Sequence, residues 1–362
     1  MIAESLEDRI MQEDLELLSG ELCEENGFPL AQIANSTVFV SGATGLLGSQ
    51  VVKALACFNR LKNTQIKMIA LVRSMDKAKK VFGDLLKRGD ITLMVGDVNH
   101  AISCPGAIDY VIHGASATSS RYFVEKPVET IGTALDGTRN VLEFARDKRV
   151  RGMVYLSSLE VYGTPLQTGQ RIAEADYGYI DPLSVRSSYS ESKRMAECLC
   201  VSYAKEYGVP VKVARLSQTF GAGVSYDDGR VFAEFARCAV EGRDIVLHTQ
   251  GNTVRSYCYS RDAVSAILYI LLKGEAAEAY NVTNMDTAIS IREMAELVAQ
   301  TLSHGRSSVV VDIPDDLASF GYNPEMVIRL DAEKLERLGW RPTVGLQEMY
   351  ERMAASSFQK SV

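Results

Sequence analysis

Short apolar runs alternate with longer amphipathic stretches from residue 37 to residue 216. The short runs are typical of buried strands, which the sequence predicts at residues 37–40, 66–72, 91–95, 110–113, 153–156 and 211–216. The longer stretches predict helices at residues 46–57, 75–87, 127–148 and 188–207. Because strands that alternate with helices pair in parallel through right-handed crossovers, we expect an α/β fold with a doubly wound parallel sheet.

The two ends of the chain depart from this alternation. Residues 1–36 are acidic and carry apolar residues at helical spacing, which predicts a helical extension packed on the domain or on a partner subunit. Beyond residue 217 the pattern is less regular. We expect residues 217–362 to form mainly a smaller substrate-binding lobe, with some segments returning to the sheet, and residues 37–216 to form the main domain.

Composition narrows the classes of partner. The 362 residues carry a formal net charge of −7 without a basic cluster, which argues against nucleic-acid binding. No apolar segment reaches the length of a membrane span and the N-terminus lacks the pattern of a secretory signal, so we expect no membrane partner. Seven cysteines without a CxxC pair predict reduced thiols of a cytoplasmic protein. The four histidines show no metal-ligand spacing, so no metal site is expected.

Three glycines at intervals of three, Gly42, Gly45 and Gly48, lie between the first predicted strand and the first predicted helix. Glycine permits a positive φ and lets the backbone approach a pyrophosphate seated on the N-terminus of the helix. A tight turn without a ligand is the alternative interpretation. The flanking strand and amphipathic helix favour dinucleotide binding, so residues 37–216 are predicted to be a Rossmann-type NAD(P)-binding domain.

The residues after the second and third strands bear on the choice of cofactor. NAD-binding domains usually carry an acid at the end of the second strand, which bonds the adenosine ribose. Here the strand ends in Val72 and Arg73, and the arginine could bind a 2′-phosphate, which makes NADP possible, or lie along the adenine of either cofactor. Asp97 could accept from the adenine amino group or cap a turn. Asp76 is expected to cap the following helix.

Tyr189 and Lys193 lie four residues apart in the helix predicted at residues 188–207, so they share one helical face. A tyrosine acts as a base near neutral pH only when a positive charge stabilises its phenolate, and Lys193 supplies one. Ser158 follows the strand at residues 153–156, at the sheet edge where doubly wound folds bind ligands. The three side chains predict a site for hydride transfer at a hydroxyl group.

With these motifs, residues 36–350 resemble the extended short-chain dehydrogenase/reductase family of nucleotide-sugar epimerases, dehydratases and decarboxylases. Beside the glycine turn and the Tyr189/Lys193 pair, the resemblance rests on His113-Gly114-Ala115-Ser116, Ser157-Ser158-x-x-Val161-Tyr162-Gly163 and Leu338-Gly339-Trp340-x-Pro342. Stretches at residues 126–131, 182–194 and 219–231 look closest to UDP-glucuronate decarboxylases. The resemblance implies a nucleotide-diphosphate sugar as substrate and NAD as cofactor.

The resemblance also implies roles for individual residues. The catalytic residues would be Ser158, Glu160, Tyr189 and Lys193. Cofactor binding would involve Gly42, Thr44, Gly45, Leu46, Gly48, Arg73, Asp97, Val98, Ala115, Ser157, Tyr189 and Lys193. Substrate binding would involve Gln218, Arg230, Val231 and Arg255.

Some of these assignments have alternatives. Arg255 matches the arginine that grips the diphosphate, or else forms a surface ion pair. Glu160 would return a proton to the sugar, or else serve as a loop carboxylate bonded to backbone N–H groups. Gln218 and Ala134 stand where the family has asparagines, and Leu159 stands where a 4,6-dehydratase has the aspartate that drives water loss.

These features predict an NAD-dependent enzyme that oxidises a sugar C4 hydroxyl, uses the 4-keto group to activate a neighbouring position and returns the hydride. UDP-glucuronate-like decarboxylation and 4-epimerisation both fit this chemistry. A 4,6-dehydratase fits Leu159 less well, and an NADPH-dependent carbonyl reductase would account for Arg73. Retention of Ser158, Tyr189 and Lys193 disfavours a non-catalytic nucleotide-binding regulator.

We also expect a homodimer joined through the helices at residues 127–148 and 188–207. Both helices carry more apolar residues than one sheet-facing stripe requires. The residues in question are Val141, Leu142, Phe144, Leu199, Val201 and Tyr203.

Overall fold

The computed structural model describes residues 2–166, 169–314 and 325–357. Its helices are α1 (Arg9–Glu21), α2 (Leu30–Ile33), α3 (Leu46–Lys62), α4 (Met75–Phe82), α5 (Ser120–Glu125), α6 (Pro127–Lys148), α7 (Ser188–Tyr207), α8 (Val231–Glu241), α9 (Ser260–Lys273), α10 (Ile291–Ser303), α11 (Glu333–Glu336) and α12 (Leu346–Ser357). Short 3-10 segments lie at Glu24–Asn26, Gly83–Lys87, Leu159–Tyr162 and Val185–Ser187.

The strands are β1 (Thr37–Ser41), β2 (Lys67–Val72), β3 (Ile91–Val95), β4 (Tyr110–His113), β5 (Gly152–Ser158), β6 (Val211–Leu216), β7 (Gln218–Phe220), β8 (Ile245–Leu247), β9 (Val254–Tyr259), β10 (Ala279–Val282), β11 (Asn284–Ser290), β12 (Val309–Val311) and β13 (Val327–Ile328). Among the described residues, the main sheet has seven parallel strands in the order β10-β6-β5-β4-β1-β2-β3. The strand order runs outward from β1 in both directions, which confirms the predicted doubly wound α/β fold.

Helices cover both faces of the main sheet. Val38 and Val40 of β1 belong to an apolar cluster shared with α3 and α9, whereas Phe39 belongs to a cluster shared with α6 and α7. Side chains alternate along a strand, so a strand that is buried on both faces needs apolar residues at successive positions. This is why β1 appears in the sequence as a short unbroken apolar run.

A smaller group of strands comes from the later part of the chain. Strand β7 follows β6 after one residue and pairs with β9, which also pairs with β11 and β13. Strand β8 pairs with β12. Phe220 packs in an apolar cluster with side chains of α8, α10 and α12. These elements therefore begin at the carboxyl end of β6, while β10 returns to the main sheet beside β6.

The N-terminal arm packs on its own chain. Met11, Leu15 and Leu18 of α1 belong to the same apolar cluster as α3 and α9. Asp14 Oδ1 accepts a hydrogen bond from Arg352 Nη2 of α12 at 2.7 Å. The extension was expected to pack on the domain or on a partner subunit, and in the structure it packs on the domain of its own chain.

Helix boundaries differ from the prediction in two places. Helix α3 continues beyond residue 57 to Lys62, and Phe58 in this added part is buried. Helix α4 ends at Phe82 because Gly83 has φ +48°, and the rest of the predicted helix is a 3-10 segment.

The expected cap of α4 is also wrong. The Ser74 side chain accepts from Lys77 N and caps the helix, whereas Asp76 lies within the first turn. A carboxylate there interacts favourably with the helix dipole but does not bond the first free N–H groups.

Most of the apolar residues that suggested a dimer interface pack within the chain. Val141, Leu142, Phe144 and Tyr203 are buried in the cluster on the α6/α7 face of the sheet. Leu199 packs partly against the same cluster, and Val201 is exposed. Helices α6 and α7 pack on each other as well as on the sheet, so each uses more than one apolar stripe.

No helix in the described ranges is long and apolar enough to cross a membrane. The same ranges contain no group of three or more histidine, cysteine, aspartate or glutamate residues placed to hold a metal ion.

Candidate active site

The glycine-rich turn joins β1 to α3. Gly42 has φ +70°, and a Cβ there would lie 2.6 Å from the Gly114 carbonyl carbon. A Cβ on Gly48 would lie 2.3 Å from the Gly42 carbonyl oxygen. Gly45 precedes α3 without a side-chain cap, so the first N–H groups of this 17-residue helix face the turn. Glycine at these two positions therefore lets the turn pack closely against the end of β4 and against its own carbonyl groups, and it leaves the N-terminus of α3 without a side-chain cap.

Other predicted cofactor residues follow the neighbouring strands. Arg73 is exposed after β2, and Ala115 lies just beyond β4. Asp97 Oδ1 accepts from Asn99 N at 2.9 Å, which is the turn contact considered as an alternative role. Val98 is buried, and its side chain lies against the position of Gly137 on α6. The Val98 side chain is thus part of the core beneath α6. Thr44 lies in the turn and Leu46 is the first residue of α3, and both are partly exposed.

Tyr189 lies near the start of α7 and is almost fully buried. Burial, followed by the Glu160 charge, raises the pKa of Tyr189 to about 12, while hydrogen bonds with the Ser158 and Ser116 side chains oppose the rise. The Phe123 ring lies parallel to the Tyr189 ring, with centroids 4.1 Å apart. The phenol therefore lies beside the hydroxyls of Ser158 and Ser116.

Lys193 lies one helical turn beyond Tyr189 and is buried. Its Nζ donates to the Leu156 carbonyl oxygen at 2.8 Å and lies 5.7 Å from the Tyr189 ring centroid. Burial lowers the pKa of Lys193 to about 8, with Glu197 acting in the opposite direction. The ammonium therefore faces the Tyr189 ring from the next turn of α7.

Glu160 bonds side chains rather than backbone N–H groups. Its two carboxylate oxygens accept from Arg186 Nη2 at 3.1 Å and from Ser190 Oγ at 2.9 Å. The Glu160 backbone N–H donates to Ser158 Oγ at 3.2 Å. The carboxylate is thus held by an arginine beside Tyr189, where its charge raises the pKa of the phenol.

The predicted substrate residues come from the strands and loops that follow β6. Gln218 begins β7 and is partly buried. Arg230 pairs with Asp228 at 2.7 Å and precedes Val231, the exposed first residue of α8. Arg230 therefore forms a local ion pair with a residue two positions before it.

Arg255 on β9 is partly buried. Its Nη1 donates to the carbonyl oxygens of Val254 and Met326, at 3.1 and 3.4 Å. Desolvation lowers the pKa of Arg255, and the nearby Glu160 charge opposes this. Within the described ranges no carboxylate lies within 4.0 Å of the guanidinium, so the structure has no surface ion pair there.

Sequence reasoning missed three residues of this site, Ser116, Phe123 and Arg186. Ser116 belongs to a stretch that carried the family resemblance, so its motif was a usable signal. Phe123 lies on the short helix α5, which no periodicity indicated. Arg186 gave no signal of its pairing with Glu160, because the two residues are 26 positions apart.

Leu159 lies immediately between Ser158 and Glu160 yet does not share their surroundings. Its side chain is buried in a small apolar cluster with Ile172 and Ile328. The position that carries an acid in 4,6-dehydratases is therefore directed into the protein interior here.

The parallel sheet, the glycine turn after β1 and the Ser158–Tyr189–Lys193 arrangement define a Rossmann-fold enzyme of the dehydrogenase class. Residues 38–283 match the model of the NAD dependent epimerase/dehydratase family. The chain belongs to this family.

Similar proteins include UDP-glucuronic acid decarboxylase 5 of Arabidopsis thaliana, which is 31% identical over 321 residues and 87% of each chain. UDP-glucuronic acid decarboxylase 3 of the same plant is 30% identical over 316 residues, covering 87% of this chain and 86% of that protein. Among solved structures, UDP-glucose 4-epimerase of Thermotoga maritima superposes with a TM-score of 0.73 at 21% identity, covering 90% of this chain and 99% of the other. A double mutant of the dTDP-glucose 4,6-dehydratase DesIV of Streptomyces venezuelae, with NAD bound, superposes with a TM-score of 0.72 at 21% identity, covering 87% of this chain and 95% of the other.

Proposed function

We propose that this chain is an NAD-dependent enzyme that acts on a nucleotide-diphosphate sugar through a transient 4-keto intermediate, with decarboxylation of a UDP-glucuronate-type sugar as its reaction. The observation that carries the proposal is the position of the Tyr189 hydroxyl beside Ser158 and Ser116, with Lys193 one turn away. The relatives named as UDP-glucuronic acid decarboxylases support the choice of substrate.

The glycine turn fits a dinucleotide, because the N–H groups at the start of α3 have no side-chain cap and suit a pyrophosphate, while Gly42 and Gly48 permit the close backbone packing of the turn before the helix. NAD bound there supplies the acceptor, and later the donor, of the hydride. Tyr189 takes the proton of the sugar C4 hydroxyl in its phenolate form, which requires a nearby positive charge because burial raises the pKa of this phenol to about 12. Ser158 orients the substrate hydroxyl by sharing its hydrogen bond. Lys193 stabilises the phenolate by its charge.

The loss of carbon dioxide follows from the ketone. A carboxylate on C5 lies β to the C4 carbonyl, so its C–C bond breaks while the bonding electrons move into the ketone as an enolate. We assign to Glu160 the return of a proton at C5, with the proton taken up from solvent, and Arg186 holds this carboxylate at 3.1 Å. We assign Arg255 to the diphosphate, because its guanidinium group forms no ion pair with a carboxylate in the described ranges and bonds only backbone carbonyl oxygens there.

Residues 217–362 supply the substrate side of the site in this proposal. Gln218 begins β7 directly after β6, whose carboxyl end lies at the same edge of the sheet as that of its parallel neighbour β5, and Arg230 and Val231 follow later in the chain.

Among other reactions of this family, 4-epimerisation is the second candidate, because it needs the same C4 oxidation and no further acid. Dehydration is disfavoured by Leu159, which lies among apolar side chains. An NADPH-dependent carbonyl reductase is favoured by one observation, the exposed Arg73 after a second strand that ends without an acid.

The test is incubation of the pure protein with UDP-glucuronate, UDP-glucose, dTDP-glucose and GDP-mannose, followed by mass spectrometry of the products. We expect loss of carbon dioxide from UDP-glucuronate without net oxidation or reduction of added cofactor. Loss of water would assign a dehydratase, and a product of unchanged mass an epimerase. Net consumption of NADPH with no sugar product would overturn the proposal.

We further propose a homodimer joined through the outer surfaces of α6 and α7. Val128 and Ile131 on α6, and Met195 and Val201 on α7, are exposed apolar side chains. We also propose a reducing, cytoplasmic location, which the seven free thiols support.

A further inference from the structure

A row of buried polar side chains crosses three strands next to the active site. Ser157 of β5 and Asn281 of β10 are both register partners of Arg215 of β6. Because partner residues in a parallel sheet point to the same face, the three side chains stand side by side. All three are buried, so the row is part of the interior and not a surface feature.

Glu197 of α7, the helix that packs on this face of the sheet, contacts two side chains of the row. Ser157 Oγ donates to Glu197 Oε1 at 2.5 Å, and Arg215 donates to the same carboxylate from Nε at 3.1 Å and from Nη2 at 2.7 Å. The two charged side chains are only 2% and 9% exposed. A buried ion pair contributes little net stability compared with apolar side chains of the same volume, so stability alone is a weak explanation for it.

Arg215 has a structural use of its own. It donates to the hydroxyls of Tyr162 and Tyr177 and to the Glu174 carbonyl oxygen, which ties the segment after β5 to the sheet. Glu197 is different, because it lies four residues after Lys193 on the same helix and therefore on the same face.

The groups that face Lys193 are Tyr155 of β5, His113 of β4, and Tyr189, Glu197 and Cys200 of α7. Burial raises the pKa of the Tyr155 and Cys200 groups and lowers the pKa of His113 to about 3. These groups and Tyr189 are therefore neutral at pH 7. Glu197 is the one member of this set that forms an ion pair, with Arg215 at 2.7 Å.

We propose that Glu197 is a positioning residue of the active site, which holds the end of β5 through Ser157 and keeps the Lys193 ammonium charged by its carboxylate one helical turn away. The inference rests on the proposed function in so far as it assigns Lys193 to the stabilisation of a phenolate. Ser158, the next residue after Ser157, is then held by the same contact.

The first experiment is the pH profile of kcat/KM for Glu197→Gln, which keeps the side-chain shape and removes the charge. Loss of the carboxylate lets Lys193 lose its proton at lower pH, so the alkaline decline of activity is expected to move down by about one pH unit, with activity at pH 6 within about threefold of wild type. The matched control is Tyr177→Phe, which removes another bond to Arg215 without touching Glu197 and is expected to leave the profile unchanged.

A double variant separates the effect of losing the Glu197 charge from the effect of leaving Arg215 without an ion-pair partner. Glu197→Gln/Arg215→Gln removes both buried charges, which relieves the folding cost of a lone guanidinium. We expect the shifted alkaline decline to persist in this variant. A wild-type profile in the double variant would show that the unpaired Arg215 caused the shift, and the proposal would be overturned.

The second experiment needs no substrate. Protein labelled with ¹³C at lysine Cε is titrated by NMR, and the Lys193 signal is identified by its absence in Lys193→Arg. We expect a lower titration midpoint in Glu197→Gln than in wild type, and an unchanged midpoint would refute the role of Glu197. Failure of the proposed function would instead leave this shift in place while no nucleotide sugar is converted.

Discussion

The ring of Phe123 lies flat against the ring of Tyr189, with centroids 4.1 Å apart and planes within 7° of parallel. The Arg186 guanidinium lies 5.4 Å from the Phe123 centroid, and Ser188 Oγ donates to the Phe123 carbonyl oxygen at 2.9 Å. Helix α5 is thereby fixed to the start of α7. The Tyr189 ring is held by packing that does not involve its hydroxyl.

Tyr189→Phe is therefore expected to leave the fold intact and to abolish turnover. The stacked ring remains, while the group that takes the substrate proton is lost, so kcat/KM should fall by about 100-fold or more. Steady-state kinetics and thermal unfolding measure the two effects. Tyr207→Phe, at the exposed end of the same helix, is the control and should keep wild-type activity. Retention of more than about a tenth of the activity by Tyr189→Phe would contradict the assignment.

Cofactor choice can be tested at Arg73, which is exposed after β2 with no acid at Val72. We expect protein stripped of nucleotide to bind NAD more tightly than NADP, with little change in Arg73→Ala. Calorimetric titration of both oxidised cofactors measures this, and Lys80→Ala on α4 controls for the loss of a surface cation. A preference for NADP of about tenfold, or about 1.4 kcal/mol, that Arg73→Ala erases would support the reductase instead.

His113 should make the fold sensitive to mild acid. Burial, and then the Lys193 charge, lowers the pKa of His113 from 6.5 to about 3, and its ring bonds Ser41 and Thr138. Between these two pH values the unfolded chain binds a proton that the folded chain does not, so stability falls as the pH decreases below 6.5. From this residue the slope is about 1.4 kcal/mol per pH unit.

Urea unfolding at pH 7, 6 and 5 tests this dependence. His113→Gln should lose a corresponding part of the slope, whereas the exposed His100→Gln should keep it. Equal slopes for wild type and His113→Gln would show that the buried imidazole does not cause the acid sensitivity.

The N-terminal arm should be needed for stability. Asp14 accepts from the Tyr259 hydroxyl and from Arg352 Nη2 at 2.7 Å, and its side chain is buried. Asp14→Ala leaves Arg352 and Tyr259 without this partner, so we expect a loss of about 3 kcal/mol in the free energy of unfolding. Glu13→Ala removes an exposed partner of the same arginine and should cost less than about 1 kcal/mol. Similar losses in the two variants would argue against a special role of the buried contact.

The proposed homodimer can be tested by light scattering at micromolar concentration. We expect the mass of two chains, and a mass of one chain for Met195→Lys/Val201→Lys, because two charges would be buried in the interface. Val310→Lys, at an exposed apolar position on β12, should remain dimeric. A monomeric wild-type protein would exclude the dimer.

Local patterns predicted much of the fold. The bounds of β3, β4, β6, α6 and α7 agree with the prediction, because each element shows its own periodicity within a few residues. The same holds for the glycine turn and for Tyr189 and Lys193, whose spacing of four places them on one helical face. The contacts of Tyr189 could not be predicted from local patterns, because Phe123 and Ser116 reach it from separate segments of the chain.

What the sequence alone determined is the alternation of strands and helices that builds most of the main sheet, the turn at Gly42 and the position of Tyr189 and Lys193 on one face of α7. Tertiary structure decided which partners meet across long stretches of chain, as for Asp14 and Arg352, which are 338 residues apart. It also directed Leu159 into an apolar cluster and used most of the apolar residues of α6 and α7 within the chain. The physical reason is that periodicity specifies which residues share a face of an element, whereas only the packing of elements specifies what that face contacts.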